Sequence, residues 1–204
     1  MALDRRIVEL YDEYTHKPLM NRLLAIAGTA AAAEAALALL EPNYAHAQQV
    51  APDDARITAS RFGQTVDGVA LKGYLVTPKA EAKRGGVLVI HENRGLNPHI
   101  EDITRRMALE GFTALGLDFL TPLGGTPTAP DAARALFPQL PAEAVIAQGR
   151  TALKYLASRP DATGRTGAVG FCWGGGAVND LAVSVPELSA GVVFYGRSPD
   201  LAKV

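Results

Sequence analysis

Residues 166–183 read as a strand, a sharp turn and a helix, and the turn carries the one cysteine of the chain. The strand spans 166–171 and the helix 174–183, and between them runs Gly170-Phe171-Cys172-Trp173-Gly174-Gly175-Gly176. This is the glycine-x-nucleophile-x-glycine elbow, with cysteine in the place that serine often takes. Such a turn holds the nucleophile in strained backbone. Small residues two before and two after it relieve the contact between strand and helix. The amino end of the following helix favours a thiolate and an oxyanion. The bland reading of the same residues is close helix–sheet packing around an inert, buried cysteine. Strand, spacing and helix agree in favouring the elbow.

An elbow of this kind needs a sheet, and the rest of the chain supplies one. Residues 56–65 and 69–77 read as two strands joined by the turn Asp67-Gly68, with Pro78 closing the second. The run GVLVI at 86–90 is continuously apolar, as in a strand buried on both faces of a parallel sheet. Asn97-Pro98 opens a helix with an apolar stripe of Ile100, Ile103, Met107 and Ala108, and Gly111 stops it. A strand at 112–117 ends at Asp118, and a loop rich in Gly, Pro and Thr leads to a helical piece at 131–137. A longer helix begins at Pro141, and a last strand spans 190–195. Strands alternating with helices predict an α/β fold of three layers around a mostly parallel sheet.

With 204 residues, 48% hydrophobic, the chain is long enough to bury a substantial core. The net charge of −1 comes from nearly balanced acids and bases, which disfavours nucleic acid as a partner. One cysteine allows neither an internal disulfide nor a cysteine metal cluster, and no metal or cofactor is implied.

Residues 1–54 differ in kind from residues 55–204, which form the α/β domain. Residues 4–14 are charged with a near-helical apolar stripe, and 23–33 are uncharged and alanine-rich. Glu34 interrupts the apolar stretch before it is long enough for a confident membrane span. Two readings stand side by side. One is a helical arm that packs on the domain or on a partner subunit, in a cytoplasmic protein. The other is an export signal cut after Ala47 in the small-x-small pattern Ala45-His46-Ala47.

The strand at 86–90 ends in His91-Glu92-Asn93-Arg94-Gly95. In open α/β sheets ligands bind outside the carboxyl ends of the strands, so this loop faces the elbow. A carboxylate beside a catalytic thiol disfavours the thiolate, which makes Glu92 a gate or a proton acceptor. Neighbouring residues at a strand end point oppositely, so if Glu92 faces the thiol, His91 does not.

An H-E-x-x-G loop followed by a G-F-C-x-G-G elbow resembles the dienelactone hydrolase family of the α/β-hydrolase superfamily, carboxymethylenebutenolidase-like, from about Ile57 onward. The resemblance implies a hydrolase of esters or lactones working through an acyl-thioester. It implies Cys172 as the nucleophile and Glu92 as the carboxylate that activates it. It implies the backbone N–H groups of Trp173 and Asn93 as the oxyanion hole. Arg134 is the positional candidate for holding a substrate carboxylate, and a solvated helix charge is the competing reading. Arg94 is a second cation near the site.

The same resemblance implies a triad acid and histidine after the nucleophile. No histidine follows Cys172, since His16, His46, His91 and His99 all precede it. Asp180 and Asp200 lie on the wrong elements for the acid. The expectation is therefore a hydrolase domain whose C-terminal strands lie outside these residues: a fragment, a truncated product, or half of a split enzyme completed by a second polypeptide. The alternatives to an active hydrolase are an impaired scaffold that self-associates through the arm or an exposed sheet edge, and a thiol sensor without a resolving cysteine.

Overall fold

A computed structural model describes residues 48–199. The readings of an arm or export signal fall almost wholly outside these residues, as does Asp200. No helix among the described residues is long and apolar enough to cross a membrane.

Among the described residues six strands form one sheet: β1 (Ile57–Val66), β2 (Val69–Pro78), β3 (Arg84–Ile90), β4 (Thr113–Leu117), β5 (Ala162–Phe171) and β6 (Ala190–Phe194). Their spatial order is β1-β2-β4-β3-β5-β6. The first two form a hairpin whose turn residues, Asp67 and Gly68, both have positive φ (49° and 80°), the backbone of a type I′ turn. Strand β2 pairs antiparallel with β4, and β4, β3, β5 and β6 run parallel. Strand β5 begins at Ala162 rather than at 166. Its opening residues Thr163, Gly164 and Arg165 are exposed and carry no apolar alternation, so nothing in the sequence marks them as strand.

The described residues form four α-helices, α1 (Pro98–Leu109), α2 (Pro130–Leu136), α3 (Ala142–Ser158) and α4 (Trp173–Ser184), of which α1, α3 and α4 pack on the sheet. Asn97 caps α1, its side-chain oxygen accepting from the amides of His99 (3.0 Å) and Ile100 (3.1 Å), with Pro98 in the first turn where no amide is needed. The alternation of β3 sorts its side chains between the two faces. Leu88 and Ile90 pack with Leu153, Leu156 and Leu181 of α3 and α4, whereas Val87 and Val89 pack with Ile100 and Ile103 of α1. Burying each of these side chains contributes about 1.5–3 kcal/mol. This is the three-layer α/β-hydrolase architecture.

A polar staple fixes the leading residues to α1. The buried Arg105 donates to the Val50 carbonyl (2.7 Å) and the Tyr74 hydroxyl (3.2 Å). Asp102, equally buried, accepts from the amides of Gln49 (2.9 Å) and Val50 (2.8 Å) and lies 3.4 Å from Arg105.

Candidate active site

The carboxyl ends of the four parallel strands form one row. In spatial order they lead to Asp118 after β4, His91 and Glu92 after β3, Cys172 after β5, and Tyr195 after β6. Cys172 stands between strand ends that carry a carboxylate on one side and a phenol on the other.

Cys172 has φ 53° and ψ −113°, a conformation that a residue with a side chain rarely adopts. Holding it costs on the order of 1–3 kcal/mol, so the surroundings must enforce it. They do so through backbone bonds and close packing. The Cys172 amide donates to the Phe194 carbonyl (3.0 Å), and the Cys172 carbonyl accepts from Gly176 (3.2 Å). A Cβ on Gly174 would sit 2.5 Å from the carbonyl oxygens of both Ile90 and His91, and one on Gly170 would collide with Gly174. The two glycines are thus required by contact between β5, α4 and β3. Cys172 itself is half-buried. The amide of Trp173 opens α4 and has no partner within the helix, as for every residue of a first turn.

His91 is fully buried among aromatic rings. Its imidazole stacks on Trp173 (centroids 5.5 Å apart, planes 15°) and meets Phe119 and Phe137 edge-on. Nδ1 lies 2.8 Å from the Glu92 carbonyl, and Nε2 accepts from the Phe119 amide at 3.2 Å. Both nitrogens are occupied in a neutral ring protonated on Nδ1. Burial holds the pKa below its ordinary value of 6.5, opposed in part by the Glu92 carbonyl and the nearby Asp118 carboxylate. His91 therefore builds the floor beneath Trp173 and is turned away from base chemistry.

Glu92 and Asn93 are half-buried on the loop after β3, and the Glu92 carboxylate accepts a 2.7 Å hydrogen bond from the Tyr195 hydroxyl. That loop is tied to the loop after β4. Thr126 Oγ1 accepts from the Leu96 amide (2.9 Å) and donates to Asp118 (2.8 Å), whose carboxylate also accepts from the amides of Thr126 (2.7 Å) and Leu120 (3.1 Å). Arg134 lies half-buried on α2, three residues before Phe137, whose ring packs against Trp173 at 4.7 Å; its buried Nε has no hydrogen-bond partner. Asp180 pairs with Arg197 on the flank of α4. Tyr195 and Asp118 carry no motif in the sequence. Only their positions hint at them, Asp118 one residue past a predicted strand and Tyr195 as the last residue of another, which in the structure ends at Phe194.

Among the described residues no group of three or more His, Cys, Asp or Glu side chains is placed to hold a metal ion.

The sheet order and the strained cysteine at the head of α4 define an α/β-hydrolase. Residues 71–203 match the model of the dienelactone hydrolase family, and the chain belongs to that family. A protein of Escherichia coli named as a hydrolase fragment, YghX, is 45% identical over 105 residues, covering 50% of this chain and 90% of that one. A Synechocystis protein named as a carboxymethylenebutenolidase is 32% identical over 133 residues, covering 62% of this chain and 54% of the relative. A solved structure named as a dienelactone hydrolase of Klebsiella pneumoniae superposes with a TM-score of 0.59 at 29% identity, over 71% of this chain and 62% of that one. A dienelactone hydrolase-like promiscuous phosphotriesterase from metagenomic libraries superposes at 0.60 with 25% identity, over 73% and 64%. The chain spans about half the length of the curated carboxymethylenebutenolidase relatives it matches, 54% and 55% in two of them.

Proposed function

We propose that this protein hydrolyses an ester or lactone through Cys172, by way of an acyl-thioester. The observation that carries this reading is the backbone of Cys172, φ 53° and ψ −113°, at the end of a parallel strand and the start of a helix. Strain at a single side chain in a packed region points to a functional demand on that side chain. The sulfur attacks the acyl carbon and the thiol proton passes to the Glu92 carboxylate. The negative charge on the carbonyl oxygen is met by the Trp173 and Asn93 amides, supported by the amino end of α4. Collapse breaks the acyl C–O bond, and the leaving alkoxide takes the proton from Glu92. Water then attacks the thioester, releasing the acid and returning the thiol. Arg134, with a guanidinium nitrogen lacking a partner, is the residue to hold a carboxylate on the substrate.

The experiment is acylation and turnover with an activated ester and with an unsaturated lactone, followed by intact mass spectrometry. The expected result is one acyl group per chain at Cys172, absent in Cys172→Ala and slowed in Glu92→Gln. Equal ester turnover by wild type and Cys172→Ala overturns the reading.

A further inference from the structure

We infer that Tyr195 is a positioning residue, holding the Glu92 carboxylate across the end of the strand that bears Cys172. The inference rests on the reading that Glu92 serves this thiol. Glu92 follows β3 and Tyr195 follows β6, 103 residues apart in the chain, and β5 lies between those strands. A 2.7 Å hydrogen bond from the phenol to one carboxylate oxygen therefore joins the two sides of the nucleophile strand. A hydroxyl donating to a carboxylate is among the stronger neutral-to-charged hydrogen bonds.

Three observations separate this bond from an incidental surface contact. First, Tyr195 has φ +42°, which for a bulky aromatic residue is a strained, left-handed backbone. Second, that backbone is locked to the elbow on both sides. The preceding carbonyl, of Phe194, accepts from the Cys172 amide, and the following Gly196 lies so close to Gly175 and Gly176 that no Cβ fits there. Third, the side chain is 70% exposed, so core packing does not account for where it stands. The elbow thus fixes the Tyr195 backbone, and the phenol passes that position to the carboxylate. Without the hydroxyl, Glu92 is released toward solvent and its charge leaves the vicinity of the thiol.

The sequence contains a single cysteine, so alkylation reads this site alone. Rates are measured with neutral iodoacetamide and anionic iodoacetate on wild type, Tyr195→Phe, Glu92→Gln and the double variant, with thermal melts to confirm folding. The ratio of anionic to neutral rates reports negative charge beside the sulfur. Tyr195→Phe is expected to raise it about three- to fivefold, toward the Glu92→Gln value, as for a unit charge withdrawn from about 4 Å in a watery site. In the Glu92→Gln background the same change is expected to have no further effect, the mark of one residue acting through another. A ratio unchanged or lowered in Tyr195→Phe overturns the inference alone, provided Glu92→Gln raises it. An equal Tyr195→Phe effect in both backgrounds also overturns it. If Glu92→Gln leaves the ratio unmoved, the reading of Glu92 fails and the inference fails with it.

Discussion

The imidazole of His91 lies 5.5 Å from the indole of Trp173, centroid to centroid, with the two planes 15° apart. The imidazole follows β3 and the indole follows Cys172 at the head of α4, so the stack joins the loop after β3 to the start of that helix. It holds only while the imidazole is neutral, because Nε2 accepts from the Phe119 amide and burial penalises the charged ring.

The pH consequence follows from linkage. The pKa of His91 is depressed in the folded protein, so the unfolded chain binds the proton more readily. The contribution of the neutral ring to stability is full above the ordinary value of 6.5 and is lost as pH falls below it toward the folded pKa. Urea midpoints at neutral and mildly acidic pH are expected to show wild type losing more stability on acidification than His91→Gln. At neutral pH the variant is expected to cost about 1–3 kcal/mol, since the buried Phe119 amide loses a well-placed acceptor. Parallel pH profiles for the two proteins would remove His91 as the titrating group.

Gly174→Ala tests whether close packing forces the elbow. The added methyl would lie 2.5 Å from two backbone carbonyl oxygens, of Ile90 and His91, and backbone cannot yield as a flexible side chain does. The expected cost is about 1–3 kcal/mol of stability, typical of overpacking. Alkylation of Cys172 should slow as well, because α4 must shift to make room. Unchanged melting and unchanged alkylation would show that the β3–α4 contact does not set the elbow.

Arg105→Met should be among the most damaging single changes away from the site. It leaves Asp102 buried without its cation, a loss of about 3–5 kcal/mol when one partner of a buried pair is removed. The double variant Arg105→Met, Asp102→Leu removes both charges and should recover part of that loss. The amides of Gln49 and Val50 would then lack their acceptor, so recovery should be incomplete. Urea unfolding of the two variants against wild type measures the difference.

Much of this architecture is legible in the sequence because it is local. The apolar run at 86–90, the Asp67-Gly68 turn, the Asn97-Pro98 cap and the glycine-flanked Cys172 each announce themselves within a few residues. The relationships that position the site are of another kind. Tyr195 meets Glu92 across 103 residues, Phe119 meets His91 across 28, and Arg105 meets Val50 across 55. A lone tyrosine after a strand or an arginine on a helix carries no local signal of such a partner. The sheet order that brings them together is a property of the whole fold. His91 is instructive in between: alternation at the strand end sets it on the opposite side from Glu92 as an expectation, but its aromatic enclosure depends on Phe137 and Trp173, which only the folded chain supplies.

Among the described residues the outer strands of the sheet, β1 and β6, differ in how they are guarded, and the difference predicts self-association of this 204-residue chain. Strand β1 presents Thr58, Ser60, Arg61 and Gln64, polar residues that discourage pairing with another chain. Strand β6 reads Ala-Gly-Val-Val-Phe, is exposed along its whole length, and pairs only with β5 among the described residues. Among the described residues the exposed large apolar side chains are Val192, Val193, Phe194, Tyr195 and Phe112. The first four lie on or just after β6, and Phe112 lines an apolar cleft with Val192 and Phe194. An unpaired strand without charge or proline, beside an apolar cleft, is the pattern that recruits another strand. A second copy of the chain offers the same strand, and two β6 edges can pair antiparallel about a two-fold axis. Sedimentation velocity over a concentration series should therefore show the wild type associating and Val192→Lys remaining monomeric at the same concentrations. The substitution lies on an exposed position, so its melting temperature should stay near wild type. A wild type that is monomeric throughout the series would show that this edge does not receive a second copy.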